Sequence, residues 1–367
     1  MPRVAVVGSG PGGLAAALRL RERARGSLEV TLFERKSAPE YLPGTIPVLL
    51  GASTPERWRV PLSLQGLEVV NGEVEEVFGD GVRVGGKTHE ADAVIAAPGL
   101  ALDLGSVPRR PNVHALWDTE GARAAARAVR DFRGGTVAVV VSSLPYRCPP
   151  APYAMAMELS VHYGGDTWVA LTTPEEVPLA AVGGGVPEFL RASCAAAGVG
   201  LLTGFEPDLD SLGEGPLTSN SGAVIVHDLA LVVPPHGRSP LLAGLPGQGP
   251  LVQVSPDFES AEPGLFVVGD AAMVPLPRAA DAAATGGRIA ADAVLRRLGL
   301  VDGQETHLPE PECYVGHGGG RYSRISLRYP DGLPPRGSAE VDIEGPSESL
   351  AAGFEKSFDR WRRLREG

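Results

Sequence analysis

A cysteine set among prolines is the residue of this chain best placed to do chemistry. Cys148 lies in Pro145-Tyr146-Arg147-Cys148-Pro149-Pro150-Ala151-Pro152. The prolines on its C-terminal side fix φ and carry no N–H, which holds the sulfur in one place. Such a thiol suits thiol–disulfide exchange, whose rate follows thiolate fraction, leaving-group pKa and access to the sulfur. The plainer reading is a small buried hydrophobe in a proline-rich turn. Cys194, in Glu188–Ala197 among small apolar residues, reads as a core thiol. Cys313 precedes Tyr314, and His317 follows in a glycine-rich stretch, Gly316–Gly320, where it could polarise a sulfur or simply be solvated. Arg147 could attract a small anion or be a surface charge. Cysteines at only 148, 194 and 313 are too few and too dispersed for a disulfide framework or a four-thiolate zinc site, and no metal site is expected.

A second constellation is Gly8-Ser9-Gly10-Pro11-Gly12-Gly13. It sits between a strand, Val4–Val7, and an Ala/Leu/Arg helix, Leu14–Arg25. The next strand, Leu28–Phe33, ends in Glu34-Arg35, with Glu34 placed 34 − 13 = 21 residues after Gly13. Gly8 permits a tight turn, Gly10 lets backbone approach a pyrophosphate, and Gly13 lets helix and strand pack closely. The helix N-terminus offers free N–H groups and partial positive charge, and Glu34 stands where a ribose hydroxyl would need a carboxylate. Together they specify a dinucleotide site.

The remaining elements carry these groups. Glu73–Phe78 (with Val74) and Gly81–Val84 read as a hairpin, and Asp92–Ala96 as a buried strand running into Ala97-Pro98-Gly99. Residues 100–112 form a crossover and Trp117–Phe132 a helix. Gly135–Val141 is a β-branched, buried parallel strand. It enters Ser142-Ser143-Leu144 and the Cys148 loop, which offers no glycine cradle for a phosphate. A helix follows over Tyr153–Tyr163, then a strand (Thr167–Leu171), a helix (Val186–Ala197) and a strand (Leu229–Val233). Gly264–Val268 is a strand ending in Gly269-Asp270, and an Ala-rich helix spans about Ala282–Leu298. The last helix, Leu350–Glu366, aligns Phe354, Phe358, Trp361 and Leu364 as one apolar stripe. That stripe packs on the protein body or docks on a membrane surface.

A net charge of −11 excludes nucleic acid as a partner. No apolar run reaches the ~18 residues of a membrane span. The first strand begins at Arg3, leaving no room for a leader, so a cytoplasmic or peripheral membrane location is expected.

The order Gly8-x-Gly10-x-x-Gly13, Glu34, Ala97-Pro98-Gly99 and Gly269-Asp270 resembles the two-dinucleotide-binding-domain flavoproteins. Within them, Tyr146–Tyr153, Val274-Pro275-Leu276-Pro277-Arg278 and Cys313-Tyr314 resemble the sulfide-oxidising branch, namely the flavoprotein subunit of flavocytochrome c sulfide dehydrogenase and the sulfide:quinone oxidoreductases. The resemblance implies an α/β fold of two Rossmann-like dinucleotide-binding domains, glutathione-reductase-like, plus a C-terminal segment. Residues 1–103 and 237–300 would form a split FAD domain and 104–236 a second Rossmann-like domain carrying Cys148. Residues 301–367 would be a redox or interface segment. Gly8, Gly10, Pro11, Gly12, Gly13, Glu34, Arg35, Val74, Ala97, Pro98, Gly99, Gly269 and Asp270 would hold FAD.

By the same resemblance, Cys148 and Cys313 would form a redox disulfide that sulfide or a small persulfide attacks. Cys148 would carry the sulfane sulfur and Cys313 would pass electrons to FAD, with a quinone or c-type cytochrome as acceptor. Two departures stand out. Relatives carry Glu where this chain has Ala154, and those with covalent flavin have a cysteine near Glu40-Tyr41-Leu42-Pro43, so FAD here would be non-covalent. Two other activities stay open: an NAD(P)H-dependent disulfide or quinone reductase, and a non-catalytic persulfide-carrying flavoprotein subunit.

Overall fold

In the computed structural model, residues 1–212, 215–303, 305–334 and 336–366 are described. The chain builds two five-stranded parallel sheets, both of Rossmann type, and a C-terminal antiparallel sheet with a final helix. The first sheet has the order Leu265–Val267, Ala93–Ala96, Arg3–Val7, Glu29–Glu34, Glu68–Asn71. Its central strand pairs Val4 with Val30 on one side and with Ala93 on the other. Both faces are covered at its centre, which is why Val4–Val7 and Ala93–Ala96 are wholly apolar. Helices Pro11–Ala24 and Ala280–Arg297 cover one face. They cross closely because neither carries a side chain at the contact: a Cβ on Gly287 would stand 2.0 Å from the Gly12 carbonyl oxygen. The other face packs against Val74–Phe78, Gly81–Val84 and Lys87–Glu90. The expected hairpin thus has a third strand, made of exposed polar residues that carry no hydrophobic signal.

The second sheet has the order Val199–Leu202, Thr167–Thr172, Gly135–Val141, Leu229–Val233, Val113–Ala115. Alternate residues of Gly135–Val141 serve opposite layers. Val137, Val139 and Val141 meet the helices Thr119–Asp131, Ala151–Tyr163 and Val186–Ala196. Ala138 and Val140 meet a layer containing Phe205, Leu212, Leu217 and Ile225. Residues 3–96 and 265–267 supply the first sheet and residues 113–233 the second.

The tail differs from expectation by three antiparallel strands, Glu312–Gly316, Tyr322–Arg328 and Glu340–Ser347. The last helix, Ala351–Glu366, then lays Phe354 and Phe358 onto the body beside Tyr41 and Trp58. Its apolar stripe is therefore mostly engaged, with Leu364 left half exposed. Among the described residues no helix is long and apolar enough to cross a membrane.

Candidate functional site

One cavity of about 800 Å³ runs between the two sheets and under the C-terminal segment. The residues of the glycine motif form its first wall. Gly8, Gly10, Pro11 and Gly12 line it, with Glu34, Arg35, Val74, Ala97, Pro98, Gly99, Gly269 and Asp270. Gly13 does not, and its role is packing: a Cβ there would lie 1.9 Å from the Gly8 carbonyl oxygen. A Cβ on Gly10, in contrast, would meet nothing within 4 Å and would point into open space. The helix starting at Pro11 has no side-chain cap, so its first N–H groups stay free for an anion. Glu34 accepts the Ser9 N–H and hydroxyl on Oε2, at 2.8 and 2.6 Å, and the Lys36 N–H on Oε1 at 2.9 Å.

Asp270 also lines the cavity, delivered by the turn after Leu265–Val267, whose Gly269 N–H nitrogen would lie 3.4 Å from a Cβ on Gly12. Burial pushes its carboxyl pKa up, while Arg278 and Arg147 oppose the shift. An open glycine cradle, uncapped helix amides, an acid at the ribose position and a second carboxylate in the cavity lining fit the phosphates, ribose and ribityl chain of FAD. Tyr41, Leu42 and Pro43 also line the cavity, and no cysteine stands near them.

Cys148 reaches this cavity from the second sheet and Cys313 from the first strand of the C-terminal sheet. Both are free thiols. After burial, the neighbouring Cys148 is the next cause pushing Cys313 up to about 12. Cys148 also reaches about 12, through burial first and Asp270 second, with Arg147 opposing. Its backbone is in the left-handed region at φ 54°, which costs a β-carbon-bearing residue roughly 1 kcal/mol. The strained turn is pinned at both ends of the peptide unit. The Cys148 N–H donates to the Arg278 carbonyl at 3.3 Å, and its carbonyl accepts from Ala151 N–H at 2.9 Å. Arg278 belongs to the loop after Asp270, so one segment positions both groups.

Arg147 is a correction to the surface-charge reading. It is largely buried; Nη2 donates to the Trp117 carbonyl at 3.0 Å, and Trp117 Nε1 donates back to the Arg147 carbonyl at 2.9 Å. Its Nε is buried without a partner, and Asp270, Glu40 and Asp118 face it. His317 is a second correction, being neither solvated nor on the cavity wall. It is buried behind the strand, with Nε2 2.8 Å from Ser323 Oγ and its ring against Phe189, and burial lowers its pKa to about 4. Cys194 is a fully buried core thiol, as read.

Sequence reasoning missed several contributors. Glu158 lines the cavity one turn beyond Ala154 on the same helix, and burial raises its pKa. Helical spacing from Ala154 was the available signal. Glu175 accepts from Tyr153 and Tyr146, which flank Cys148. Tyr41 meets Ser357 Oγ at 2.6 Å and joins the cavity to the last helix. Outside the cavity, Asp292, Glu305 and His307 cluster, but Arg19 fills that cluster, bidentate to Asp292 at 2.9 and 3.0 Å.

Residues 2–156 match the pyridine nucleotide-disulphide oxidoreductase family. Among solved structures, the chain is similar to the sulfide:quinone oxidoreductase of the hyperthermophilic bacterium Aquifex aeolicus. The TM-score is 0.81 at 17% identity, covering 100% of this chain and 92% of the other. It also resembles an NAD-dependent persulfide reductase from A. fulgidus, with a TM-score of 0.66 at 14% identity, covering 99% and 76%. A ferredoxin reductase from Rhodopseudomonas palustris gives 0.67 at 16%, covering 90% and 83%.

Proposed function

We propose that this chain, whose fold is that of the two-domain flavoprotein oxidoreductases, binds FAD non-covalently and oxidises sulfide, or a small persulfide, through Cys148 and Cys313. The observation that carries the reading is their shared position. Two thiols from different sheets line the cavity into which the dinucleotide motif opens.

The chemistry is thiol–disulfide exchange. In the oxidised pair, hydrosulfide attacks Cys148 Sγ, the Cys148–Cys313 bond breaks, and its electron pair leaves on Cys313 Sγ. Cys148 then holds the incoming sulfur as a persulfide. A second hydrosulfide takes that outer sulfur as hydrodisulfide, and Cys148 leaves as a thiolate. Bound FAD would supply the two-electron acceptor that returns the two thiols to the disulfide, with a quinone or c-type cytochrome as the onward acceptor. Arg147, beside Cys148, favours negative charge at that sulfur, which burial and Asp270 oppose, and so helps an anionic nucleophile approach it. The Arg278 carbonyl and the Tyr146–Glu175 contact hold the loop so that Cys148 cannot turn away.

The family match favours a second reading, an NAD(P)H-dependent disulfide or quinone reductase. Against it, the loop after Gly135–Val141 has no glycine cradle. Ser142 is bonded to the neighbouring strand through both N–H and hydroxyl, at 3.2 and 2.5 Å from the Val233 carbonyl. A quinone acceptor would bring the protein to a membrane surface. Because the aromatic face of the last helix already packs on the body, docking there would use other residues.

Anaerobic titration separates the readings through flavin absorbance. Sulfide should bleach the flavin, NADH should leave it oxidised, and a soluble quinone should restore the colour. Bleaching by NADH without sulfide favours the reductase. Flavin that stays oxidised under sulfide leaves only a persulfide carrier. Cys148→Ser should abolish sulfide bleaching while still binding flavin, and normal turnover by that variant removes the assignment.

A further inference from the structure

The last turn of the final helix sends one charged side chain into the molecule. Arg365 is fully buried, and all three guanidinium nitrogens are used. Nη1 donates to the Ser9 carbonyl at 2.7 Å, Nη2 to Ser9 Oγ at 2.8 Å, and Nε to the Val60 carbonyl at 3.2 Å. The guanidinium lies over the Trp361 ring, 4.7 Å from its centroid. Ser9 sits between the first two glycines of the dinucleotide motif, and its own N–H and hydroxyl go to Glu34 Oε2. A cation 356 positions away in the chain therefore grips the loop that forms the nucleotide cradle.

Burying a guanidinium is unfavourable unless its donors are satisfied and a counter-charge is close. Here Ser9 and Val60 satisfy the donors, and Glu34 is the counter-charge, one hydrogen-bonded residue away. If the Ser9 loop opens, Arg365 loses its partners. If the helix leaves, the Ser9 carbonyl and the Ser9–Glu34 contact lose theirs. Loop order and helix docking are thus one equilibrium. The same helix also supplies Ser357 and Trp361 to the cavity wall.

Resting on the FAD reading above, we propose that Arg365 is a positioning residue for the nucleotide loop, so that cofactor retention and docking of the C-terminal helix depend on each other. A ligand that needs the ordered loop must stabilise the docked helix, and by reciprocity the docked helix must tighten the ligand by the same factor.

The test uses the full-length apoprotein titrated with FAD by flavin fluorescence, with hydrogen exchange followed over residues 351–366. In the wild type, FAD should slow exchange of that helix at least tenfold. Arg365→Gln should weaken FAD binding tenfold or more and abolish the FAD effect on helix exchange. Arg365→Lys, which keeps the charge but not the forked geometry, should fall between. Leu364→Ala, on the exposed side of the same helix, should bind FAD within twofold of the wild type. The exchange measurement needs no variant, so it decides even if Arg365→Gln folds poorly. Helix exchange unchanged by FAD in the wild type, or an Arg365→Gln affinity within twofold, overturns the coupling. A wild-type chain that takes up no FAD overturns the FAD reading itself, and the first titration shows this before any variant is compared.

Discussion

Tyr153 donates its hydroxyl to Glu175 Oε2 at 2.6 Å, and Tyr146 reaches the same oxygen at 3.3 Å. These tyrosines bracket Cys148, and Tyr146 also donates to the Pro149 carbonyl at 3.1 Å. Glu175 gathers further donors from Thr173 Oγ and the Leu179 N–H. One carboxylate outside the cavity wall therefore holds the frame around the strained cysteine.

Glu175→Ala should cost roughly 1–3 kcal/mol, because it leaves the buried Tyr153 hydroxyl without its acceptor, while Tyr146 keeps the Pro149 carbonyl. It should also slow sulfide-dependent flavin bleaching more than it weakens flavin binding. Urea unfolding and stopped-flow absorbance measure the two effects. Equal losses in both would mean that Glu175 supports the fold in general rather than Cys148.

The thiols should be slow nucleophiles at neutral pH in the apoprotein. Burial places Cys148 and Cys313 both at about 12, above the usual thiol value, so the neutral form dominates and the thiolate fraction rises with pH. Iodoacetamide labelling, read by mass spectrometry between pH 7 and 9.5, should accelerate about tenfold per pH unit without levelling off. A plateau below pH 8 would show a thiolate already stabilised.

Acid should destabilise the fold through histidines. His317 and His236 are both lowered to about 4 by burial. Their ordinary value is about 6.5, so the unfolded chain takes up protons first as pH falls. Their stabilisation is fully present above 6.5 and is lost between 6.5 and 4. At pH 5 each accounts for about 1–2 kcal/mol. The drop in urea midpoint from pH 7.5 to 5 should shrink in His317→Gln, and an unchanged drop would remove this explanation.

Gly13→Ala should lose dinucleotide binding by more than tenfold and cost about 2–3 kcal/mol, because its Cβ would press on the Gly8 carbonyl from 1.9 Å. Gly10→Ala faces open space in the apoprotein and should fold with nearly unchanged stability while still impairing the nucleotide. Thermal unfolding beside FAD titration separates these two roles.

Much of the fold was legible because local signals agreed. The β-branched runs Val4–Val7 and Val137–Val141 could be little but buried strands, and glycines at their ends marked where a ligand or a turn must come. Cys148 was visible because prolines are rarely placed so densely beside a thiol. The C-terminal sheet was overlooked although its pattern was present: Ser323, Ile325 and Leu327 alternate inward, as do Val341 and Ile343 between exposed acids. The glycines at 316–320 drew the reading towards a loop. Glu175 and Arg365 were illegible for another reason. Charged side chains default to solvent, and only tertiary packing puts these two against the cysteine loop and the glycine loop.

The edge strand Leu265–Val267 lies beside Ala93–Ala96 although some 170 residues separate them. On a growing chain the glycine loop is made before the strand that delivers Asp270, with the whole second sheet in between. The two parts of this cavity lining can therefore meet only after the intervening domain has been made.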